Sequence, residues 1–306
     1  MKGVVIKSTG SWYLVRTENG SIHSCRLKGK FRLKGIKHTN PVTVGDKVNF
    51  EFETESQNGV IDTIDERRNY IIRKANNLSK QTHIIASNLD QSLLIITLAF
   101  PKTSLGFIDR FLVTSEAYHI PAILVFNKSD LMTHGFEEIL DETIDLYQRI
   151  GYKCIKTSTK TGEGLEELKA LLKDKTSLLS GHSGVGKSTL LNHIEPGLEL
   201  KTTAISNYSQ KGQHTTTFAE MHPLSFGGYI IDTPGIREFG LVDFLEAEIS
   251  HYFIEMQGLI GNCKFNNCKH INEPECAIQN AVRSGQISEE RFSSYLSMMS
   301  NEDIYE

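Results

Sequence analysis

The stretch GHSGVGKST, residues 181–189, combines glycines, a lysine and hydroxyl groups at a spacing suited to holding phosphate. It fits the pattern G-x-x-x-x-G-K-[ST], follows the apolar stretch TSLLS and opens a predicted helix. Glycines let backbone N–H groups wrap around phosphate oxygens, and the helix dipole adds attraction. We expect Lys187 to contact the β- and γ-phosphates and assist catalysis there, and the Ser188 hydroxyl to bind Mg²⁺. The loop residues predicted to bind nucleotide are Gly181, His182, Ser183, Gly184, Val185, Gly186, Lys187, Ser188 and Thr189.

The stretch VFNKSD offers groups that distinguish guanine from adenine. The Asp130 carboxylate can accept from both the N1–H and the exocyclic amine of guanine, and adenine has no donors at those positions. Asn127 can bond to the O6/N7 edge, the Lys128 stem can lie along the ring, and Ser129 completes the motif. A four-letter motif alone could be an ordinary polar turn. The apolar strand predicted before it favours a guanine-binding loop.

Two further stretches match the loops that surround Mg²⁺ and the γ-phosphate in GTP-binding proteins. YIIDTPG is a predicted strand followed by D-x-x-G, in which Asp232 can hold Mg²⁺ through water and the Gly235 N–H can contact the γ-phosphate. GQHTTT lies in a polar stretch before it, and Thr217 or Thr216 would complete the Mg²⁺ shell. Such a loop would be ordered by GTP and released after hydrolysis. An exposed loop without this role is the alternative.

The residue that follows D-x-x-G bears on the rate of hydrolysis. Ras-like proteins carry a glutamine there that orients the attacking water, whereas Ile236 stands at this position. We therefore expect slow hydrolysis by the protein alone. His214 is a candidate for the missing group because an imidazole can orient or deprotonate water. A solvated histidine in the same loop is an equally good interpretation.

The order of these motifs along the chain is unusual. A loop KTSTKTG also ends an apolar stretch and resembles the loop whose backbone N–H meets guanine O6, with Ser158 as the expected contact. The order is then base, base, phosphate, first switch and second switch, a circular permutation of the Ras-like order. Such a join is easily made because domain termini commonly lie close together. It leads the second switch straight into residues 241–306, and we hypothesise that loss of the γ-phosphate moves that segment relative to the rest.

Potential metal ligands are concentrated in CKFNNCKHINEPEC, residues 263–276. Cys263, Cys268, His270 and Cys276 offer three thiolates and one imidazole, a full tetrahedral set for one structural Zn²⁺ with no open catalytic position. Such a site can fold a segment whose own core is too small. Free cytosolic thiols beside an unrelated histidine are the alternative.

The elements that must position these groups fall into four parts. Residues 1–68 alternate short strands with turns, which favours an all-β barrel of the OB type, with an SH3-type barrel as the alternative. Residues 69–91 are polar and predict a linker. Residues 92–240 alternate apolar strands with amphipathic helices, which indicates a P-loop α/β domain with a mainly parallel sheet. Residues 241–306 predict a small helical zinc-binding module.

Charge is distributed unevenly along the 306 residues, whose net charge is −4. Residues 1–40 carry nine Lys/Arg and one acid, Glu18, whereas the remaining residues carry 24 Lys/Arg and 36 Asp/Glu. A basic N-terminal segment in an otherwise acidic chain favours a polyanionic partner such as nucleic acid. A solvated basic face is the alternative.

Composition excludes several other classes of protein. With 39% hydrophobic and 23% charged residues, the chain has the composition of a soluble globular protein. The longest apolar runs, such as LLIITLAF, are too short to span a bilayer, and the N-terminus lacks a signal-peptide core. We therefore expect a cytoplasmic protein with no membrane partner. Nothing in the sequence suggests an obligate dimer, so a monomer is expected.

The barrel, the permuted GTP-binding motifs and the Cys₃His segment together resemble the RsgA (YjeQ) family of circularly permuted GTPases. The resemblance covers nearly the whole chain and extends to a hydrophobic residue after D-x-x-G and a histidine before the threonine run, here Ile236 and His214. It implies binding to the small ribosomal subunit and its rRNA late in assembly. It also implies that hydrolysis of GTP to GDP, stimulated by the subunit, times release of the protein.

Two other functions share most of these features. One is an RNA-binding module that uses nucleotide only as a structural ligand, and Lys187→Ala would leave its role intact. The other is a translation factor that acts on finished ribosomes. Only accumulation of immature subunits after gene deletion would separate that factor from an assembly GTPase.

Overall fold

The computed structural model describes residues 1–28, 41–53, 58–74, 82–133, 135–198, 219–232 and 245–300. The chain divides into two compact units. The first holds Met1–Leu93, Glu166–Ser180 and Ser188–Glu238, and the second holds Leu94–Leu165, Gly181–Lys187 and Phe239–Glu306. The boundary between the units therefore lies within the predicted α/β domain.

The described strands and helices follow the predicted order closely from residue 91 onward. The strands are β1 (Lys2–Ser8), β2 (Tyr13–Thr17), β3 (Ile22–Leu27), β4 (Lys47–Phe52), β5 (Gly59–Ile64), β6 (Tyr70–Lys74), β7 (Thr82–Ser87), β8 (Gln91–Ile96), β9 (Ala122–Asn127), β10 (Lys153–Thr157), β11 (Thr176–Ser180), β12 (Glu220–Pro223) and β13 (Tyr229–Asp232). The helices are α1 (Leu105–Ala117), α2 (Phe136–Ile150), α3 (Leu165–Leu172), α4 (Lys187–Ile194), α5 (Ile254–Gln257), α6 (Ala277–Arg283) and α7 (Glu289–Met299).

Strands β1 to β5 of the first unit close into the predicted barrel. Strand β1 pairs with both β2 and β4, and β3 pairs in parallel with β5, so the sheet returns to its first strand. Alternate side chains point inward, as the burial of β2 shows. The barrel core consists of Val5, Tyr13, Val15, Cys25, Val42, Val48, Phe50 and Ile61. The OB-like class of the fold is thereby confirmed.

The segment predicted to be a linker contains regular structure. Strands β6 and β7 form a two-stranded antiparallel sheet within residues 69–91. The prediction missed both strands because they are short and lie in polar sequence. Each nevertheless buries an isoleucine, Ile71 and Ile84, and these side chains favour a sheet over an irregular linker.

The turn before β4 is fixed by a buried ion pair to the segment between β5 and β6, and by a hydrogen bond to β7. The Asp46 side chain is fully buried, and its two oxygens accept from Nε and Nη2 of Arg67 at 2.7 Å each. The Ser87 hydroxyl donates to the same carboxylate at 2.6 Å. Gly45 has φ +91°, and a Cβ there would lie 2.1 Å from the Ser87 carbonyl oxygen, so the turn requires glycine.

The remaining strands of the first unit continue the barrel sheet. Strand β11 runs parallel to β13, and β12 runs antiparallel to β13. Strand β12 also pairs with β1 at the bridge between Glu220 and Lys7, whose side chains form an ion pair at 3.0 Å. The sequence did not predict this pairing between the barrel and the α/β part.

The second unit contains the parallel strands β9 and β10, helices α1 and α2, and the C-terminal helices. Helix α1 begins after Ser104, whose hydroxyl accepts from the Phe107 N–H, and α2 ends at Gly151 with φ +117°. Helices α5 to α7 share one apolar core with Val113 of α1. No helix in the described part of the chain is long and apolar enough to span a membrane.

We expect Asp46→Ala to lower the free energy of unfolding by about 3–5 kcal/mol, because it leaves the nearly buried Arg67 guanidinium without its partner. Urea unfolding monitored by circular dichroism measures the change. Glu66→Ala, which removes an exposed carboxylate next to Arg67 in sequence, is the control and should change little. Equal midpoints for the two variants would contradict the assigned role of the ion pair.

Candidate functional site

The phosphate loop between β11 and α4 depends on its glycines. Gly181, Gly184 and Gly186 all have φ between +86° and +141°, a region that favours glycine. A Cβ on Gly186 would lie 2.6 Å from Asn127 Nδ2, and one on Gly181 would lie 2.5 Å from the Ile95 carbonyl oxygen. The close approach of neighbouring loops therefore excludes larger residues at these positions.

Side chains donate hydrogen bonds to several backbone carbonyl groups of this loop. Lys187 Nζ donates to the carbonyl oxygens of Gly181 at 2.5 Å and His182 at 2.8 Å. Asn127 Nδ2 donates to the Val185 carbonyl oxygen at 2.8 Å. When carbonyl groups of a tight loop are bound in this way, its N–H groups remain available to an anion on the other side.

The NKSD loop at the end of β9 lies against the phosphate loop. Asn127 is buried, and its Oδ1 accepts from the Thr157 hydroxyl at 3.0 Å while its Nδ2 holds Val185. Lys128 has φ +60°, and its Nζ donates to the carbonyl oxygens of Gly184 at 2.7 Å and Phe100 at 2.8 Å. Partial burial lowers the pKa of Lys128, and Asp130 opposes that shift.

The third loop orients the carboxylate expected to read guanine. Ser158 Oγ donates to Asp130 Oδ1 at 2.6 Å, which fixes the carboxylate. The Ser158 backbone N–H, however, donates to the Glu163 carbonyl oxygen at 3.1 Å. The prediction that this N–H meets guanine O6 was therefore wrong, because the loop itself uses it. Ser129 also braces the loop, donating to Glu163 Oε2 at 2.6 Å.

The residues predicted to surround Mg²⁺ are only partly described. Ser188 and Thr189 lie in the first turn of α4, and Asp232 ends β13 opposite Leu179 of β11. The other predicted residues lie outside the described part of the chain: His214, Thr216, Thr217, Gly235 and Ile236.

The four predicted metal ligands converge in the C-terminal segment. The ligand atoms of Cys263, Cys268, His270 and Cys276 all lie within 4.8 Å of one another. His270 Nδ1 is 3.5 Å from Cys263 Sγ and 3.4 Å from Cys276 Sγ, and these two sulfurs are 3.8 Å apart. Metal–ligand bonds of about 2.0–2.3 Å in a tetrahedron require similar separations between ligands. This set of residues fits one metal ion.

Burial favours the uncharged forms of these ligands when no cation is considered. It raises the pKa of the Cys268 thiol to about 12 and also raises that of Cys276. It lowers the pKa of His270, which favours the neutral imidazole that metals bind. A bound cation would reverse the thiol shifts, because thiols ligate metals as thiolates.

Comparison with known proteins identifies the family. The family model described as RsgA GTPase matches residues 64–242, and the one described as RsgA N-terminal domain matches residues 2–61. The chain belongs to the RsgA GTPase family. It is accordingly a GTP-hydrolysing enzyme, and the predicted combination of barrel, permuted GTPase domain and Cys₃His cluster is confirmed at the level of fold class.

Individual RsgA relatives are similar over almost their whole length. The small ribosomal subunit biogenesis GTPase RsgA of Bacteroides fragilis is 53% identical over 303 residues, 99% of this chain and 97% of the relative. The protein of the same name from Christiangramia forsetii is 55% identical over 307 residues, with the same coverage. Among solved structures, YjeQ from Thermotoga maritima superposes with a TM-score of 0.79 at 36% identity, covering 98% of each chain. YloQ, a circularly permuted GTPase, gives a TM-score of 0.74 at 30% identity, covering 98% of this chain and 94% of the other.

Sequence analysis missed three residues that shape the RsgA site. Thr157 and Glu163 hold Asn127, Ser129 and the Ser158 N–H in place. Phe107 packs against His182 of the phosphate loop, with ring centroids 3.8 Å apart. Of these three, only Thr157 could have been identified from the sequence, because it lies at the end of an apolar strand. Glu163 and Phe107 match no motif.

We expect Asn127→Ala to weaken binding of pyrophosphate as well as of GDP, each roughly tenfold, because the buried Val185 carbonyl loses its donor and the phosphate loop its support. Titration with both ligands measures the effect. Asn49→Ala on the barrel is the control and should bind both normally. Normal pyrophosphate binding with weakened GDP binding would restrict Asn127 to the base.

We expect Cys276→Ser to abolish metal binding by the cluster and to loosen the packing of α6 and α7, because the cluster then lacks one of its four candidate ligands. Metal analysis and hydrogen exchange of the C-terminal segment measure these changes. Cys25→Ala, at an equally buried cysteine in the barrel, should keep the metal. Full metal content in Cys276→Ser would disprove its role as a ligand.

Proposed function

We propose that this GTPase binds the small ribosomal subunit and its rRNA during late assembly, and that subunit-stimulated hydrolysis of GTP times its release. The observation that carries the proposal is the contact of the NKSD loop with the phosphate loop through Asn127 and Lys128. It brings a guanine-reading loop and a phosphate-binding loop together. Relatives that are 53–55% identical over 99% of the chain are named small ribosomal subunit biogenesis GTPases. Their name is the reason for proposing the small ribosomal subunit as the partner.

In this proposal the base is read by Asp130, which Ser158 orients. Asn127 bonds to the O6/N7 edge, and the Lys128 stem lies along the ring. The contact with guanine O6 is assigned to the backbone N–H of Thr159, because the N–H of Ser158 is already bound within the loop. The contacts assigned to Asp130 and to the Thr159 N–H use N1–H, the exocyclic amine and O6 of guanine, groups that adenine lacks at those positions.

The phosphates would be held by the loop N–H groups from Gly181 to Thr189, with Lys187 at the β- and γ-phosphates. Ser188, Asp232 and one threonine, Thr217 or Thr216, would hold Mg²⁺, and Mg²⁺ would neutralise charge on the phosphate oxygens. His214 is the proposed group that orients the attacking water, since Ile236 has no polar atom for that purpose.

Zn²⁺ is the proposed occupant of the C-terminal cluster. Three cysteines and a histidine are a ligand set that Zn²⁺ prefers, and four protein ligands leave no position for substrate. The ion would therefore be structural and would hold residues 263–276 in place. One such ion per chain is proposed.

The basic N-terminal barrel is the proposed rRNA contact, mainly to phosphates. Two of its described cations already have carboxylate partners: Lys7 pairs with Glu220 and Arg26 with Glu53. Lys2, Lys28 and Lys47 are exposed, and the structure gives them no carboxylate within ion-pair distance among the described residues. We also propose that the protein acts as a monomer in the cytoplasm.

We expect slow GTP hydrolysis by the purified protein and a stimulation of roughly a hundredfold or more by purified small ribosomal subunits, because Ile236 cannot orient water and the subunit must place His214 to do so. Large subunits are the matched control particle, and Lys187→Ala is the control variant. Equal rates with and without small subunits would remove the ribosome from the mechanism. Stimulation by mature subunits alone, and not by immature ones, would favour a translation factor.

A further inference from the structure

A buried cluster of charges joins the C-terminal helices to α1 within the second unit. Arg291 on α7 is fully buried, and its Nη1 donates to Asp109 Oδ1 at 2.7 Å. Its Nε and Nη2 donate to the two oxygens of Glu255 at 2.6 and 3.1 Å, and the guanidinium lies 4.5 Å from the centre of the Phe253 ring. Burial alone would lower the pKa of Arg291, but Asp109 and Glu255 outweigh it and raise the pKa. The guanidinium therefore stays charged.

The same cluster fixes the position of α1. Asp109 Oδ1 also accepts from the Tyr147 hydroxyl at 2.8 Å, so α1, α2 and α7 meet at one oxygen atom. Among the described residues, Asp109 Oδ2 has no hydrogen-bond partner. Asp109 thus depends on Arg291 for its countercharge. Because hydrogen bonds are directional, α7 cannot shift far along α1 without breaking this pair.

Helix α1 touches the phosphate loop through a residue two positions before Asp109. Phe107, in its first turn, is buried and packs against the His182 ring, with ring centroids 3.8 Å apart and ring planes tilted by 36°. His182 is the second residue of the phosphate loop, and its carbonyl oxygen accepts from Lys187 Nζ at 2.8 Å. One short helix therefore contacts the phosphate loop through Phe107 and the C-terminal helices through Asp109.

Helix α7 reaches the metal cluster with the next residue on the same face. Tyr295 lies four residues after Arg291, and its hydroxyl donates to the Lys269 carbonyl oxygen at 2.7 Å, beside the ligand His270. The Tyr295 ring packs edge-on against Phe253 at 5.6 Å. Helix α7 is therefore held at the metal segment by Tyr295 and at α1 by Arg291.

We propose that Arg291 is a positioning residue for the phosphate loop, acting through its ion pair with Asp109 on α1 and through the ring contact of Phe107 with His182. The inference rests on the proposed nucleotide site and adds to it a residue of the C-terminal segment that no motif includes. It predicts that Arg291, which touches none of the proposed nucleotide-binding residues, governs affinity for the nucleotide. It also predicts that this effect requires His182.

The test is a double-mutant cycle on the full-length, metal-loaded protein, with a fluorescent GDP as the probe. Arg291→Met should weaken GDP binding roughly 3- to 30-fold. His182→Ala should also weaken it, and Arg291→Met added to His182→Ala should change the affinity by less than about twofold, because the contact that conveys the effect is already gone. Metal content should stay the same in every variant. Arg283→Met, which removes an exposed arginine from the neighbouring helix α6, is the matched control and should bind GDP normally.

A purely structural role for Arg291 gives a different pattern. Equal fold-changes in the two backgrounds, or normal GDP binding in Arg291→Met, would overturn the inference, as would normal binding in His182→Ala. If Arg291→Met does not fold, Arg291→Lys keeps the charge but not the forked geometry, and the same cycle is run with that variant. A wild-type protein that binds no guanine nucleotide would overturn the proposed nucleotide site together with the inference. Normal wild-type binding with independent effects would overturn the inference alone.

Discussion

The contact between the NKSD loop and the phosphate loop is the interaction on which the site depends. Asn127 and Lys128 donate to the carbonyl oxygens of Val185 and Gly184, which lie 58 and 56 residues later in the chain. Lys187 holds two more carbonyl groups of the same loop. With four carbonyl groups bound to side chains, the loop can present its N–H groups to phosphate. The glycine at position 186 follows from this contact, because any side chain there would collide with Asn127.

The C-terminal segment is the second constraint. The hypothesis that residues 241–306 move relative to the rest after loss of the γ-phosphate must account for the ion pair between Arg291 and Asp109. Breaking a buried pair of this kind leaves an uncompensated charge and costs about 3–5 kcal/mol. Any movement of the described helices α5 to α7 that preserves the pair therefore carries α1 with it. Because α1 also contacts His182, such a movement would change the packing of the phosphate loop.

The features that could be located from the sequence are those whose determinants are local. The phosphate loop, the NKSD loop and the metal cluster each lie within 14 residues, and their glycines, amides and thiols are required by backbone geometry or by ligand chemistry. Strand and helix order from residue 91 onward follows from alternating apolar runs. The sequence-based predictions failed where a residue's conformation or burial depends on a partner that is distant in sequence or on pairing with another segment. Strands β6 and β7 are too short to stand out, the Ser158 N–H is taken by Glu163, and Arg291 is separated from Asp109 by 182 residues. An arginine on an amphipathic helix is expected at the surface, and only the fold shows that this one is buried.

The described part of the site favours retention of nucleotide over rapid turnover. The Asp130 carboxylate and the phosphate loop are both fixed by hydrogen bonds, so little ordering remains to be done when GTP binds. The chain has Ile236 where Ras-like proteins place the glutamine that orients water, and a hydrophobic side chain cannot supply that function. A site ordered in advance, combined with Ile236 in place of a water-orienting glutamine, gives a GTP-bound state whose lifetime a partner can control. This property is what a protein needs if it is to remain on a particle until that particle reaches a defined state.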